Sequence, residues 1–484
     1  MKRSLPRKAS FLEVKMVFSG IPFLYFFMPI FFLLYYLCPK SGKNSLIVLF
    51  SFLFYGWQEG RFLLLMMGII VIGYSFGIFL EKSQNIFLRK VLITAAVTLY
   101  LFILGYFKYS NFFWENLKNI FSLEGKIAAV VLPVGISFYI FQMMSYNIDV
   151  YRKNCGAQKN IITVAAYISM FPQLIAGPIV RYKDIEQQLI SRKHSINQTY
   201  VGMRRFIVGI SKKILLANQL GECCSMFSQR GENSVLFYWI YAVAFMLQIY
   251  YDFSAYSDMA IGLAKMMGFE LMENFNYPYT SKSITEFWRR WHISLGTWFR
   301  DYLYIPLGGN RVSFIKWIRN ILVVWFCTGF WHGASWNFIF WGLYFALFLI
   351  MEKVLFSKNG KKERKKDMLS HVYVLFFVMI SFILFDAQNL KAAADNILGL
   401  MGIDCDLIVG KESLFYLRQY GMVFIFSLLG ISSFGKNIVK KGIFLLTGKK
   451  QAIELEMAGM IGLLLISSAY LVDGSFNPFL YFRF

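Results

Sequence analysis

The sequence predicts an all-α polytopic membrane protein, and two observations carry that prediction. Hydrophobic residues make up 57% of the chain and charged residues only 16%, whereas an ordinary soluble domain carries about a quarter charged residues. Apolar runs approaching the roughly twenty residues of an upright membrane helix recur from one end to the other. The net charge of +23 would suit a nucleic-acid partner. In a membrane chain, however, Lys and Arg gather in cytoplasmic loops, which explains the excess without nucleic acid. The six cysteines, Cys38, Cys155, Cys223, Cys224, Cys327 and Cys405, lack metal-ligand spacing. They read as packing residues, with neither metal nor disulfide expected.

Taken in order, residues 1–15 form a basic extension with Lys2, Arg3, Arg7, Lys8 and Lys15, and Met16 is an alternative start. The apolar run from Val17 to Leu37 is too long for a signal peptide and lacks a small-residue cleavage site. Further spans are expected at about 44–57, 61–80, 91–107, 128–147, 205–225, 235–252, 316–331, 336–355, 370–386, 415–434 and 457–473, a bundle of 11–12 helices. Between them, 163–180 is broken by Pro172, Gly177 and Pro178 and reads as re-entrant or kinked. Non-helical backbone at that depth needs protein or water around it. Segments 254–267 and 284–304 are expected to dip in without crossing. No repeat and no separate soluble domain is visible, so 16–484 reads as one domain.

Loop charges orient the C-terminal half. Lys358, Lys361, Lys362, Arg364, Lys365 and Lys366 mark a cytoplasmic loop, and Lys436, Lys440, Lys441, Lys449 and Lys450 another. The loop at 387–413 between them is mildly acidic. One further span then leaves the C-terminal tail on the outer side.

The stretch from Ser283 to Tyr344 holds the chemistry. Ser283 and Glu286 have capping-box spacing, so a helix should start there. Trp288, Trp291, Leu295, Trp298 and Tyr302 would share one face of it, and Pro306 with Gly308 and Gly309 would end it. Two of the four histidines lie in this stretch, His292 and His332, each directly after a tryptophan. His332 interrupts an apolar run from Ile321 to Ile350, where an ionisable group is costly unless it serves a function. A histidine hydrogen-bonded into a helix interface is the alternative.

The phrases YYDFSAYSDMAIG, ENFNYPY (273–279), SITEFWRRWHISLGTWFRDYLYIPLGGNR and FWHGASW (330–336) resemble the membrane-bound O-acyltransferase superfamily, specifically its alginate O-acetyltransferase-like branch. The similarity runs from Met16 to Phe484 and is strongest in the second half. The resemblance implies a catalytic core at about 240–350, with His332 as the catalytic histidine and His292 as its polar partner. His332 would take a proton from a hydroxyl attacking a thioester, a step that burial favours by keeping the ring neutral. Trp331 and Trp336 would exclude water, with Asn337 and Asp258 in support. His292 would orient the acceptor or hold the carbonyl oxygen as charge develops. Arg289, Arg290 and Arg300 could hold the phosphates of acetyl-coenzyme A, the donor substrate; no bound cofactor is expected. Asp252 and Asp258 are expected to pair with these arginines.

Tyr481 sits in the tail FLYFRF, which resembles the C-terminal acyl-carrier motif of related envelope acylation systems. It is a candidate acyl relay; an interfacial aromatic belt is the plain alternative. The implied setting is a bacterial cytoplasmic membrane, an extracytoplasmic SGNH-type transferase partner and a polysaccharide acceptor. Three alternatives stay open: D-alanyl transfer to teichoic acid from a carrier-protein thioester, acylation of a lipid or secreted protein, and a non-catalytic scaffold or exporter.

Overall fold

A single buried helix forms the post around which the rest is packed in the computed structural model, which describes residues 16–125, 128–174, 177–357 and 368–473. The chain reaches that post through an aromatic N-terminal layer. Helix α1 (Phe23–Leu37) turns Phe23, Phe27, Phe31 and Tyr35 inward at four-residue spacing, all buried. Helix α2 (Lys43–Lys82) contains both spans expected at 44–57 and 61–80, joined at Glu59, whose φ of −132° and ψ of 40° leave helical geometry. Asn85 caps α3 (Ile86–Phe121) by accepting from the amides of Phe87 and Leu88. This helix extends well past the 91–107 expected.

Helix α4 (Ile136–Tyr151) replaces the span expected at 128–147. It is buried at every residue from 136 to 147, so it faces protein on all sides. The expected break at 163–180 is present: α5 (Ile161–Ser169) and α6 (Phe171–Leu174) are separated at Met170. Val164, Phe171, Leu174, Ile179 and Val180 around it are all buried, the surroundings that irregular backbone needs in an apolar setting. After α7 (Tyr182–Ile190), α8 (Ile196–Ser211) continues through a π-type stretch, Lys212–Ala217, into α9 (Asn218–Phe227). The span expected at 205–225 is the middle of this rod.

The post is α10 (Val235–Met266), one helix of 32 residues. It corrects the reading of 254–267 as a separate dipping segment. Two features keep it continuous. Its acidic side chains are neutralised by neighbours, and its small residues admit α8 closely: a Cβ on Gly202 would lie 2.7 Å from the carbonyl oxygen of Gly262.

The helix expected over 284–304 is two helices, α11 (Ile284–Arg290) and α12 (Ile293–Phe299), followed by a π-type turn. The break falls on His292, at φ 45° and ψ 52°, a left-handed conformation uncommon outside glycine. Trp291, Leu295, Trp298 and Tyr302 are buried as expected, though not on one face of one helix. Ser283 does cap α11, accepting from the Glu286 amide at 3.0 Å, while Glu286 reaches back to the amide of Lys282.

Helices α13 (Phe314–His332) and α14 (Trp336–Ser357) form an antiparallel hairpin. Gly329 and Gly342 face each other across it; a Cβ on either would strike the backbone of the other helix, at Phe338 or at Trp325. Beyond them lie α15 (Met368–Asp386), α16 (Leu390–Leu400), α17 (Lys411–Gln419), α18 (Gly421–Gly430) and α19 (Ser433–Val472). The span expected at 415–434 is thus divided between α17 and α18 at Tyr420, which leaves helical geometry.

Six helices among the described residues are long and apolar enough to cross a membrane: Lys40–Lys82, Ile86–Phe121, Val235–Met266, Trp336–Leu355, Met368–Asp386 and Ile453–Val472. The chain is therefore an all-α, multi-pass membrane protein. The other expected spans fall on shorter or more enclosed helices. The basic loop after Ser357 and the tail with Tyr481 lie outside the described residues.

Candidate active site

Two aromatic cores meet along the broken helix, and both histidines lie at their seam. Trp298 and Trp331 belong to one core; Trp291, Trp325 and Trp341 belong to the other. His332 ends α13 because Gly333 turns extended, and there a side chain would collide with the Phe338 ring. Its imidazole is caged by Trp331, Trp341 and Phe385, at ring-centroid distances of 4.9, 5.0 and 5.4 Å. His292 also neighbours Trp331, 6.1 Å from its ring, with Phe253 of α10 at 4.6 Å. The helix break delivers this residue. A continuous helix would send the side chain after Trp291 about 100° around the axis, whereas the left-handed turn lets both point inward.

The hydrogen bonds of His292 define its chemistry. Its Nδ1 lies 3.2 Å from Asn274 Oδ1, which also accepts from the amide of Ser294 at 3.2 Å and its hydroxyl at 2.9 Å. Asn274 in turn donates from Nδ2 to Ser257 Oγ of α10 at 3.1 Å. An acceptor at Nδ1 places the ring proton there, so the Nε2 lone pair is left bare. Nε2 of His292 and Nε2 of His332 are both buried without a hydrogen-bond partner. Two buried imidazole nitrogens without a protein partner are costly, which makes the seam the candidate substrate site. The tautomer of His292 also decides between its two expected roles. A bare Nε2 accepts a hydrogen bond and so suits an acceptor hydroxyl; holding a carbonyl oxygen would need a proton there.

The remaining candidates divide. Trp331 is buried, with its ring centroid 4.9 Å from that of His332 and 6.1 Å from that of His292. Trp336 is not: it is 51% exposed and donates its indole N–H to Asn116 of α3 at 3.0 Å. Trp341 takes its place in the cage. Asn337 is buried and donates to the carbonyl of Ala387, tying α14 to the end of α15. Arg290 pairs with Glu286 at 2.8 Å, Arg300 with Asp301 at 2.7 Å, and Arg289 is exposed. The acidic residues have other partners than those arginines. Asp258 meets Arg205 at 2.9 Å and Lys212 at 2.7 Å, and Asp252 pairs with Lys213. The nearer cations come from the rod of α8 and α9, whose packing on α10 was not legible in the sequence.

Asn274 lies in the phrase ENFNYPY, but its role went unread; an Asn followed by its own phrase of aromatics gives no sign of which side chain it will bond. Lys108 was also missed, although a lone lysine ending the apolar run 91–107 is a recognisable signal.

A multi-pass helical bundle that holds two imidazoles in an aromatic seam has the arrangement of a membrane-embedded group-transfer enzyme. The model of the membrane-bound O-acyltransferase family matches residues 85–389, which include both histidines. The chain belongs to that family and is an O-acyltransferase. It is 41% identical over 386 residues to a probable alginate O-acetylase of Azotobacter vinelandii, covering 78% of this chain and 76% of the relative. A probable alginate O-acetylase of Pseudomonas putida is 37% identical over 97% of this chain and 100% of its own length. A peptidoglycan O-acetyltransferase of Helicobacter pylori is 30% identical, with 82% of each chain covered.

Proposed function

We propose that this protein acetylates hydroxyl groups of a cell-envelope or secreted polysaccharide, taking the acetyl group from a cytoplasmic thioester, acetyl-coenzyme A. The observation that carries the reading is the pair of buried Nε2 atoms without a protein partner, on two histidines that both neighbour Trp331. The names of the relatives support an acetyl group and a polysaccharide acceptor. A sugar offers adjacent hydroxyls. His332 takes the proton of one as its oxygen attacks the thioester carbonyl carbon, and His292 accepts a hydrogen bond from the next. The tetrahedral intermediate collapses, the carbon–sulfur bond breaks, and the departing thiolate takes the proton from His332. Ester and free thiol are the products.

Position supports a transmembrane route. Helix α14 runs 22 residues from the site to the start of the basic segment, about 33 Å at helical rise. With that segment in the cytoplasm of a bacterial cytoplasmic membrane, the histidines lie towards the outer face and the C-terminus is extracytoplasmic. Arg289, Arg290 and Arg300 would meet the donor phosphates on the inner side. In a relayed form of this step the Tyr481 hydroxyl attacks in place of the sugar hydroxyl, and an SGNH-type transferase outside takes the acetyl group from Tyr481 to the polymer. A Tyr481→Phe protein that supports full surface acetylation would remove that last step.

The test of the reading is the ester content of the envelope polymer from wild-type and deletion strains after mild base. Acetate missing from the deletion strain supports it. Missing alanine would replace the donor with a carrier-protein thioester.

A further inference from the structure

Helix α13 ends at His332 without a cap of its own. Gly333 is extended at φ −169°, so no local left-handed turn gathers the last carbonyls, which a helix terminus leaves unpaired. Neighbouring residues of α3 gather them instead. Tyr109 donates its hydroxyl to the carbonyl of Phe330 at 2.6 Å and stacks on the Phe330 ring with centroids 3.8 Å apart. Lys108 donates from Nζ to the carbonyl of Trp331, and to that of His332 at 3.3 Å. Its ammonium also stands 5.7 Å from the Trp331 ring centroid. Three consecutive carbonyls, ending at the histidine itself, are thus held by two side chains from a helix more than 200 positions earlier.

We infer that Lys108 is a positioning residue for catalysis: its Nζ caps the C-terminus of α13 and fixes the backbone from which the His332 ring projects. The chemistry favours a cation there. The end of a helix carries partial negative charge, which offsets part of the cost of a lysine in an apolar wall. A neutral aliphatic residue would pack in the same space and leave the carbonyls unpaired. The cap also spares the chain a bulky local turn between α13 and α14, where the Phe338 ring already fills the space beside Gly333. Lys108 touches no reacting atom; it acts through His332 and through Trp331, whose ring neighbours both histidines. The inference rests on the O-acyltransferase activity, not on the identity of the polymer.

The experiment uses purified full-length protein in lipid nanodiscs with acetyl-coenzyme A and an oligosaccharide acceptor, and compares Lys108→Met, Lys108→Arg and Lys108→Gln. Displacing a catalytic group by about an ångström costs on the order of a hundredfold. Lys108→Met should therefore lose kcat by a factor between about ten and a hundred, with the donor KM within about twofold. Lys108→Arg, which keeps charge and donors, should recover most of the rate. Lys108→Gln, which keeps an uncharged donor, should fall between them, and it carries the test where Lys108→Met does not yield folded protein. Full kcat in Lys108→Met or Lys108→Gln overturns the inference. So does failure of Lys108→Arg to recover the rate, or a loss confined to donor KM. Inactive wild-type protein would instead count against the proposed function, in its donor or in direct transfer to the sugar.

Discussion

Replacing Asn274 by alanine probes the geometry of His292 without touching its ring. The side-chain oxygen removed accepts from three groups, the ring Nδ1 of His292 and the amide and hydroxyl of Ser294. Each lost hydrogen bond is worth about 0.5–1.5 kcal/mol net, and a buried donor left unpaired costs about 1–3 kcal/mol. The Ser294 hydroxyl, 3.5 Å from Nδ1, can turn to accept its proton, which restores part of the loss. What remains at the ring is about 2 kcal/mol, and at about 1.4 kcal/mol per factor of ten this is roughly a thirtyfold fall in rate. The assay is the initial rate of labelled acetyl transfer by purified protein, with thermal melting of the same samples. Asn274→Asp, which keeps an acceptor oxygen, should lose less. An Asn274→Ala protein that melts normally and turns over within about twofold of wild type would refute the argument that this oxygen fixes the His292 tautomer.

Other outcomes follow from the same structure. His292→Ala should raise KM for the acceptor more than KM for the donor, because the proposed mechanism has its Nε2 accept a hydrogen bond from the hydroxyl-bearing substrate; steady-state kinetics with each substrate varied would check this. Gly329→Leu should abolish folded protein, since its side chain would enter the backbone of α14, an overpacking with no room to relax; monodispersity in detergent reports it. Glu232, in the loop before α10, accepts from the Ser234 hydroxyl and from the amides of Glu412 and Ser413 at the start of α17. Burial pushes its carboxyl up, but these hydrogen bonds outweigh it and hold the group below its ordinary value. A lowered folded-state value stabilises at pH above the ordinary glutamate range, and the contribution disappears as pH falls through the lowered value. The melting difference between wild type and Glu232→Gln should therefore be present at neutral pH and vanish in acid.

Much of this arrangement is legible in the sequence. Apolar length and sparse charge announce a helical membrane bundle, and Pro172 with Gly177 and Pro178 announces the break near Met170. His292 and His332 are conspicuous because a lone ionisable ring in an apolar run needs a reason. Periodicity could not show the break between α11 and α12. Trp288, Trp291, Leu295 and Trp298 fit one helical face, and only the competing bonds from Asn274 reveal why the chain turns at His292 instead. The amide of Ile293 donates to the Asn274 carbonyl, and the amide of Asn276 to the Arg290 carbonyl, so the phrase at 273–279 runs alongside the turn and supports it. Trp336 misled for a related reason. Its position beside FWHGA suggests a wall of the site, but its ring is drawn away by Asn116 and Phe112 of α3, a long-range fact. The same holds for Asp258, whose cations come from α8 and its π-type extension.

The measurement that bears most directly on the central claim is base-labile acetate in the envelope polymer of cells carrying wild-type protein or His332→Ala at equal membrane level. The account predicts wild-type acetate and a His332→Ala signal no higher than that of the deletion strain. Wild-type levels of acetate in the His332→Ala strain would contradict it and leave the buried imidazole without a catalytic role.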